Sequence, residues 1–65
     1  MMFSPDALES EIEKTVFRMD AILTLANRSD KSEYSLQERQ MMTLQWKALD
    51  QYKTVLEMHL NLLEE

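Results

Sequence analysis

The sequence predicts an all-α protein: an antiparallel helical hairpin that assembles into a four-helix bundle dimer or a higher oligomer. Three observations support this prediction. Two long stretches have helical spacing of apolar residues, a charged segment separates them, and the second stretch is apolar over too wide a surface for one neighbouring helix. With 65 residues and no cysteine, one chain buries little surface and has no disulfide, so oligomerisation is the expected source of further stability.

The first helix is predicted over residues 5–26. Ser4 is expected to be the N-cap, Pro5 suits the first helical position, and Asp6 lies near the positive end of the helix dipole. We expect Asn27 to end the helix in a left-handed conformation. The apolar positions of the predicted face are Leu8, Ile12, Val16, Met19, Leu23 and Ala26, with Phe17, Ile22 and Leu25 widening it.

A connection is predicted over about residues 27–34, because this stretch is charged and has no apolar anchor except Tyr34. Ser35 and Glu38 have the spacing of a capping box, in which each side chain accepts a hydrogen bond from the other residue's backbone N–H. The second helix is therefore predicted over about residues 36–63.

Three lines of residues run along this second helix. A polar line, with steps of 4, 3, 4, 3, 4 and 3 residues, predicts one solvent-facing side: Thr43, Lys47, Asp50, Thr54, Glu57, Asn61 and Glu64. A first apolar seam comprises Met41, Leu44, Ala48, Val55, Met58 and Leu62. A second seam comprises Met42, Leu49, Tyr52, Leu56, His59 and Leu63. Gln45 and Gln51 interrupt the seams, either as polar contacts that set the register of an assembly or as flank positions turned outward.

Because one partner helix covers about one such stripe, we expect the second helix to mediate self-association. The predicted self-association residues are Met41, Leu44, Ala48, Leu49, Tyr52, Val55, Leu56, His59, Leu62 and Leu63. Candidates for binding a different protein are Met42, Trp46 and Tyr34, because methionines repack easily and aromatic side chains often anchor interfaces. The alternatives are core-filling methionines and a tryptophan that packs at the edge of the hairpin. If His59 is buried at an interface, acid is expected to weaken assembly by charging it.

Composition argues against several classes of function. Twelve acidic and seven basic residues give a net charge of −5, so direct nucleic-acid binding is not expected, although an acidic mimic of nucleic acid is an alternative. One histidine, no cysteine and no glycine predict no catalytic site, no metal site and no cofactor, and hence a protein that is not an enzyme. The chain has neither a leader-like start nor a membrane-length apolar run, so we expect a cytoplasmic protein without membrane contact.

Residues 45–60 resemble a segment of small bacteriophage and prophage proteins. In those proteins a Ser-Leu-x-Glu helix start precedes Gln, Met, Tyr, Leu and Arg at steps of four, three, four and three residues. Gln45, Tyr52 and Leu56 match this pattern, and Leu49 and His59 stand at the Met and Arg positions. The resemblance implies a phage-encoded accessory protein that binds and modulates a host protein in the host cytoplasm.

A second resemblance is to the small co-chaperones of type III secretion needle subunits. Length, hairpin form and lack of cysteine are similar, Lys47-Ala48-Leu49-Asp50 resembles their Lys-Ala-Leu-Glu, and Trp46 lies near a tryptophan of one such protein. This resemblance implies a co-chaperone that, with a larger helical-repeat chaperone, keeps the needle subunit from polymerising. Both readings predict a non-enzymatic protein–protein interaction module.

Overall fold

The computed structural model describes residues 4–28 and 34–64, which form two α-helices. Helix α1 spans Pro5–Arg28 and helix α2 spans Leu36–Glu64. Their 24 and 29 residues correspond to about 36 and 44 Å of helix, and the longest dimension of the chain is 48 Å. The predicted all-α hairpin is confirmed. Most of the predicted connection, residues 29–33, lies outside the described residues.

Both predicted helix starts have their capping hydrogen bonds. The Ala7 N–H donates to Ser4 Oγ at 3.1 Å, so Ser4 is the N-cap of α1. At the start of α2, the Glu38 N–H donates to Ser35 Oγ at 3.1 Å and the Ser35 N–H donates to Glu38 Oε1 at 3.3 Å. These reciprocal bonds satisfy two donors that the first turn of a helix otherwise leaves unpaired.

The expected left-handed stop at Asn27 is wrong. Helix α1 continues through Asn27 to Arg28, and no described residue has a positive φ. Asparagine adopts the left-handed conformation more readily than most residues but does not require it, so here the helical hydrogen bonding continues past it.

The two helices pack antiparallel through one line of side chains each. Ile12 and Leu60 line a cleft at one end of the hairpin, and Ile22 and Trp46 line a cleft at the other end. The core line of α1 consists of Leu8, Ile12, Thr15, Met19, Ile22 and Ala26, all buried or half-buried. The core line of α2 consists of Met42, Trp46, Leu49, Lys53, Leu56 and Leu60, also buried or half-buried. Alternating steps of three and four residues on both helices are the spacing of coiled-coil packing.

The core line of α1 differs from the predicted apolar face at two positions. Val16 and Leu23 were predicted on the buried face, but they are exposed, and Thr15 and Ile22 occupy the core line instead. Thr15 is fully buried, and its hydroxyl donates to the Glu11 carbonyl oxygen at 2.7 Å, so the buried hydroxyl is not left unpaired. Phe17, expected to widen the buried face, is 77% exposed on the opposite side of α1.

The polar line predicted on α2 is exposed as expected, except that Asp50 is half-buried. The core line of α2 takes three members of the second seam, Met42, Leu49 and Leu56, and adds residues that the seams did not include. Lys53 is one of these. A lysine is compatible with such a position because its four-carbon stem packs on apolar neighbours while its ammonium group extends toward water.

A hydrogen bond joins the two helices beside the core lines. The Tyr52 hydroxyl donates to Glu11 Oε1 at 3.3 Å, which is long for a bond between two oxygens. Partial burial raises the pKa of Tyr52 above its ordinary value of 10.0, and the negative charge and hydrogen bond of Glu11 raise it further, while the positive charge of Arg18 opposes the shift. The neutral phenol is therefore the form that this contact stabilises.

We predict that Glu11→Gln lowers the pKa of Tyr52, because the substitution removes the negative charge that disfavours the phenolate. Ultraviolet titration of the phenolate in a Tyr34→Phe background isolates Tyr52, since the chain has two tyrosines. Because the folded-state pKa is the higher one, the contact stabilises the hairpin below pH 10 and loses this effect as the pH rises through the folded-state pKa. Glu13→Gln is the control, and equal pKa values in both variants would contradict the assignment.

We predict that Ser35→Ala destabilises the hairpin by about 1 kcal/mol, because it removes the N-cap oxygen of α2. Urea unfolding followed by circular dichroism measures the change. The control is Ser10→Ala, at an exposed position inside α1, which should be neutral or slightly stabilising because alanine has the higher helix propensity. Equal losses in the two variants would show that the cap contributes nothing measurable.

Candidate protein-binding face

The first seam forms an exposed apolar surface along α2, which we call the outer face. Its members are Met41, Leu44, Ala48, Val55, Met58 and Leu62. The five large side chains are between 53% and 70% exposed, and Ala48 is exposed as well. The outer face extends over most of the length of the helix.

The outer face is exposed because it lies on the side of α2 opposite to α1. At 3.6 residues per turn, Leu44 is rotated by about 200° from Met42, which belongs to the core line. The same relation holds along the helix, for example between Met58 and Leu56. A single neighbouring helix contacts one side only, so α1 cannot cover both lines.

The spacing of the outer face is that of a coiled-coil seam. With Gln51 included, its positions follow steps of 3, 4, 3, 4, 3 and 4 residues from Met41 to Leu62. Gln51 is exposed and stands near the middle of the line, whereas the exposed Gln45 lies on a flank. Of the two interrupting glutamines, Gln51 is thus the one in line with the outer face.

The flanks of the outer face carry almost no charge. One flank consists of Gln40, Lys47, Thr54 and Asn61, and the other consists of Glu38, Gln45, Tyr52 and His59. Lys47 and Glu38 are the two residues among them with a formal charge when histidine is neutral, and Glu38 lies in the first turn of α2, before Met41. The other described acidic residues of α2 lie on a different side of the helix: Asp50, Glu57 and Glu64. In a chain of net charge −5, the outer face therefore has no carboxylate on its flanks from Gln40 to Leu62.

The predicted self-association residues are distributed over three sides of α2. Five of them lie on the outer face: Met41, Leu44, Ala48, Val55 and Leu62. Tyr52 is exposed and His59 is half-buried on the flank from which Tyr52 reaches Glu11, and Leu63 is exposed near the end of α2, in line with Leu56. Leu49 and Leu56 belong to the core line and pack toward α1. Met58 was not among the predicted self-association residues, although its place in the first seam pointed to it.

The three predicted partner-binding residues lie near the connection. Met42 and Trp46 are half-buried on the core line, and Tyr34 is half-buried beside Leu25 and Met41.

An open apolar cleft of about 310 Å³ is lined by Ile22, Leu23, Ala26, Met42, Thr43, Trp46 and Lys47. Within the described residues, the buried indole Nε1 of Trp46 has no hydrogen-bond partner. The volume is at the lower end for small-molecule sites, and the cleft lacks the convergent polar groups that orient a ligand.

Carboxylates gather at the other end of the hairpin. Glu9, Glu13 and Glu57 line an open cleft of about 600 Å³ together with Ile12, Leu60 and Asn61. Across residues 4–28 and 34–64, no three His, Cys, Asp or Glu side chains are arranged to hold a metal ion. Mimicry of nucleic acid by this acidic side stays a prediction.

Neither described helix is both long and apolar enough to cross a membrane. The outer face is a long apolar surface that the hairpin leaves uncovered. Comparison of the chain with protein-family models, with curated proteins and with solved structures found no match.

Proposed function

We propose that this chain is a non-enzymatic protein-interaction module that acts by burying the outer face of α2 against another protein chain. The observation that carries the proposal is the continuous apolar line from Met41 to Leu62, exposed on the side opposite α1. Extended apolar patches on small proteins usually mark interaction surfaces. Burying such a patch contributes about 25 cal/mol for each Å² of apolar surface removed from water.

The rigidity of the support favours this role. The outer face belongs to a 29-residue helix that is capped at its start and packed on α1 along its core line. Its backbone is therefore already ordered before a partner arrives, and this reduces the entropy lost on binding. An amphipathic helix of a partner, placed along the same spacing, is the simplest complement.

The two sequence resemblances propose different partners for this module. A phage accessory protein would bind a host protein, and a secretion co-chaperone would bind a needle subunit together with a larger chaperone. The identity of a captured protein distinguishes the two proposals.

We predict that Val55→Asp abolishes capture of protein partners from a bacterial lysate by the immobilised chain, because it places a charge in the middle of the outer face. Phe17→Asp is the matched control. It replaces an apolar side chain of even greater exposure on α1, away from the outer face, and should capture the same proteins as the unmodified chain. Mass spectrometry of the retained proteins measures the difference.

Fluorescence of Trp46, the one tryptophan of the chain, reports whether the hairpin is intact in each variant, because its side chain lies on the core line. An unchanged emission spectrum with lost capture assigns binding to the outer face. Equal capture by the unmodified chain and by Val55→Asp would overturn the proposal.

A further inference from the structure

We infer that the outer face is occupied by a second copy of this chain, packed antiparallel through α2, with α1 of each copy on the outside of the dimer. This inference rests on the proposed function and names the partner of the same face. Three features of the hairpin carry it: its surface area, the charge of the face, and the direction in which the face points.

The chain exposes more surface than a compact monomer of its mass. The chain has an accessible surface of 5333 Å², whereas a compact monomer of 7.7 kDa exposes about 4,300 Å² by the usual scaling of area with mass. The radius of gyration, 14.8 Å, likewise exceeds the roughly 11 Å of a compact domain of this length. The excess, about 1,000 Å² over the whole elongated chain, is large enough to include the roughly 800 Å² that a standard stable interface buries on each partner.

The charge of the outer face suits contact between identical chains. Two copies with a net charge of −5 repel each other at a distance, so a stable contact requires a surface where carboxylates do not meet. The outer face satisfies this condition from Gln40 to Leu62, where Lys47 is the one flank residue with a formal charge when histidine is neutral, and Glu38 lies at the end of the face in the first turn of α2. A basic partner, by contrast, would find Glu38 as the one flanking carboxylate among the described residues.

The direction of the outer face predicts a flat assembly. Because it points away from α1, contact between two outer faces places the four helices in a row, with the two copies of α2 in the middle. In a square four-helix bundle, each helix instead contacts two neighbours, which lie in directions about 90° apart around its axis. The sides of α1 that would join such a square carry exposed charges, among them Lys14 and Arg18 on one side and Glu9 and Glu13 on the other.

An antiparallel arrangement suits the side chains better than a parallel one. In a parallel dimer in register, Ala48 would face Ala48 of the other copy and leave a gap, whereas antiparallel packing places it opposite a longer side chain. The last turn of α2 contains no basic residue to complement its negative end. In the antiparallel dimer this end lies beside the positive helix start of the other copy. Gln51 then lies close to the two-fold axis.

Sedimentation velocity from micromolar to millimolar concentration tests the dimer. We expect the unmodified chain to shift from monomer to dimer. Gln51→Glu, which changes the charge but hardly the shape, should raise the dimer dissociation constant about tenfold or more, because it places two carboxylates near the axis. Gln45→Glu, the same substitution on a flank, should leave the constant within about twofold.

The distance between the two copies tests their direction. A spin label on Gln40→Cys, at an exposed flank position in a chain without native cysteine, reports this distance by double electron–electron resonance. The antiparallel dimer places the labels about 30–40 Å apart along the helix axis, whereas parallel chains in register place them within about 20 Å. The shorter distance would overturn the antiparallel assignment.

The results separate this inference from the proposed function. A chain that stays monomeric throughout the concentration range overturns the inference, while the capture experiment with Val55→Asp still decides whether the outer face binds other proteins. A dimer that tolerates both Gln51→Glu and Val55→Asp uses another surface and overturns the inference. A dimer lost in both variants but kept in Gln45→Glu and Phe17→Asp supports it.

Discussion

The packing of one core line of α1 against one core line of α2 is the interaction on which the rest of the structure depends. It orders both helices and fixes their antiparallel direction. It also limits the hairpin, because one helix contacts one side of its neighbour. Since the apolar residues of α2 are divided between two opposite sides, forming the hairpin necessarily leaves the outer face in water. The exposed surface is thus a consequence of how the core is formed.

The two apolar sides of α2 differ in composition. The core line of α2 contains Lys53, and the facing core line of α1 contains Thr15, whose hydroxyl donates a hydrogen bond to a backbone carbonyl. The outer face has one polar member, Gln51, and its flanks contain two charged residues of opposite sign, Glu38 and Lys47. Each line alone buries little apolar surface. Domains of this size bury too little surface to be comfortably stable. A second copy on the outer face would add apolar burial where the hairpin by itself has none.

Polar and charged groups are distributed unevenly between the outer face of α2 and the rest of the hairpin. Tyr52 reaches Glu11 across the helices and so reinforces the hairpin rather than the outer face. The carboxylates Glu9, Glu13 and Glu57 gather around a cleft between α1 and α2, away from the outer face. Because these acidic groups lie there, the outer face of α2 has little like-charge repulsion from Gln40 to Leu62. The charge distribution and the apolar spacing therefore favour the same surface for association.

Local chemistry determined a large part of this structure from the sequence alone. Ser4 and the Ser35–Glu38 pair specify where the helices begin, because a cap depends on residues within one turn. The periodic polar line of α2 and the existence of a separate first seam also follow from spacing. Which seam faces α1 was decided only by the tertiary structure. The core lines contain Thr15 rather than Val16, and Trp46 and Lys53 rather than Tyr52. These positions depend on how the two helix surfaces interlock and on whether each buried polar group finds a partner. The spacing of residues along one helix contains neither kind of information.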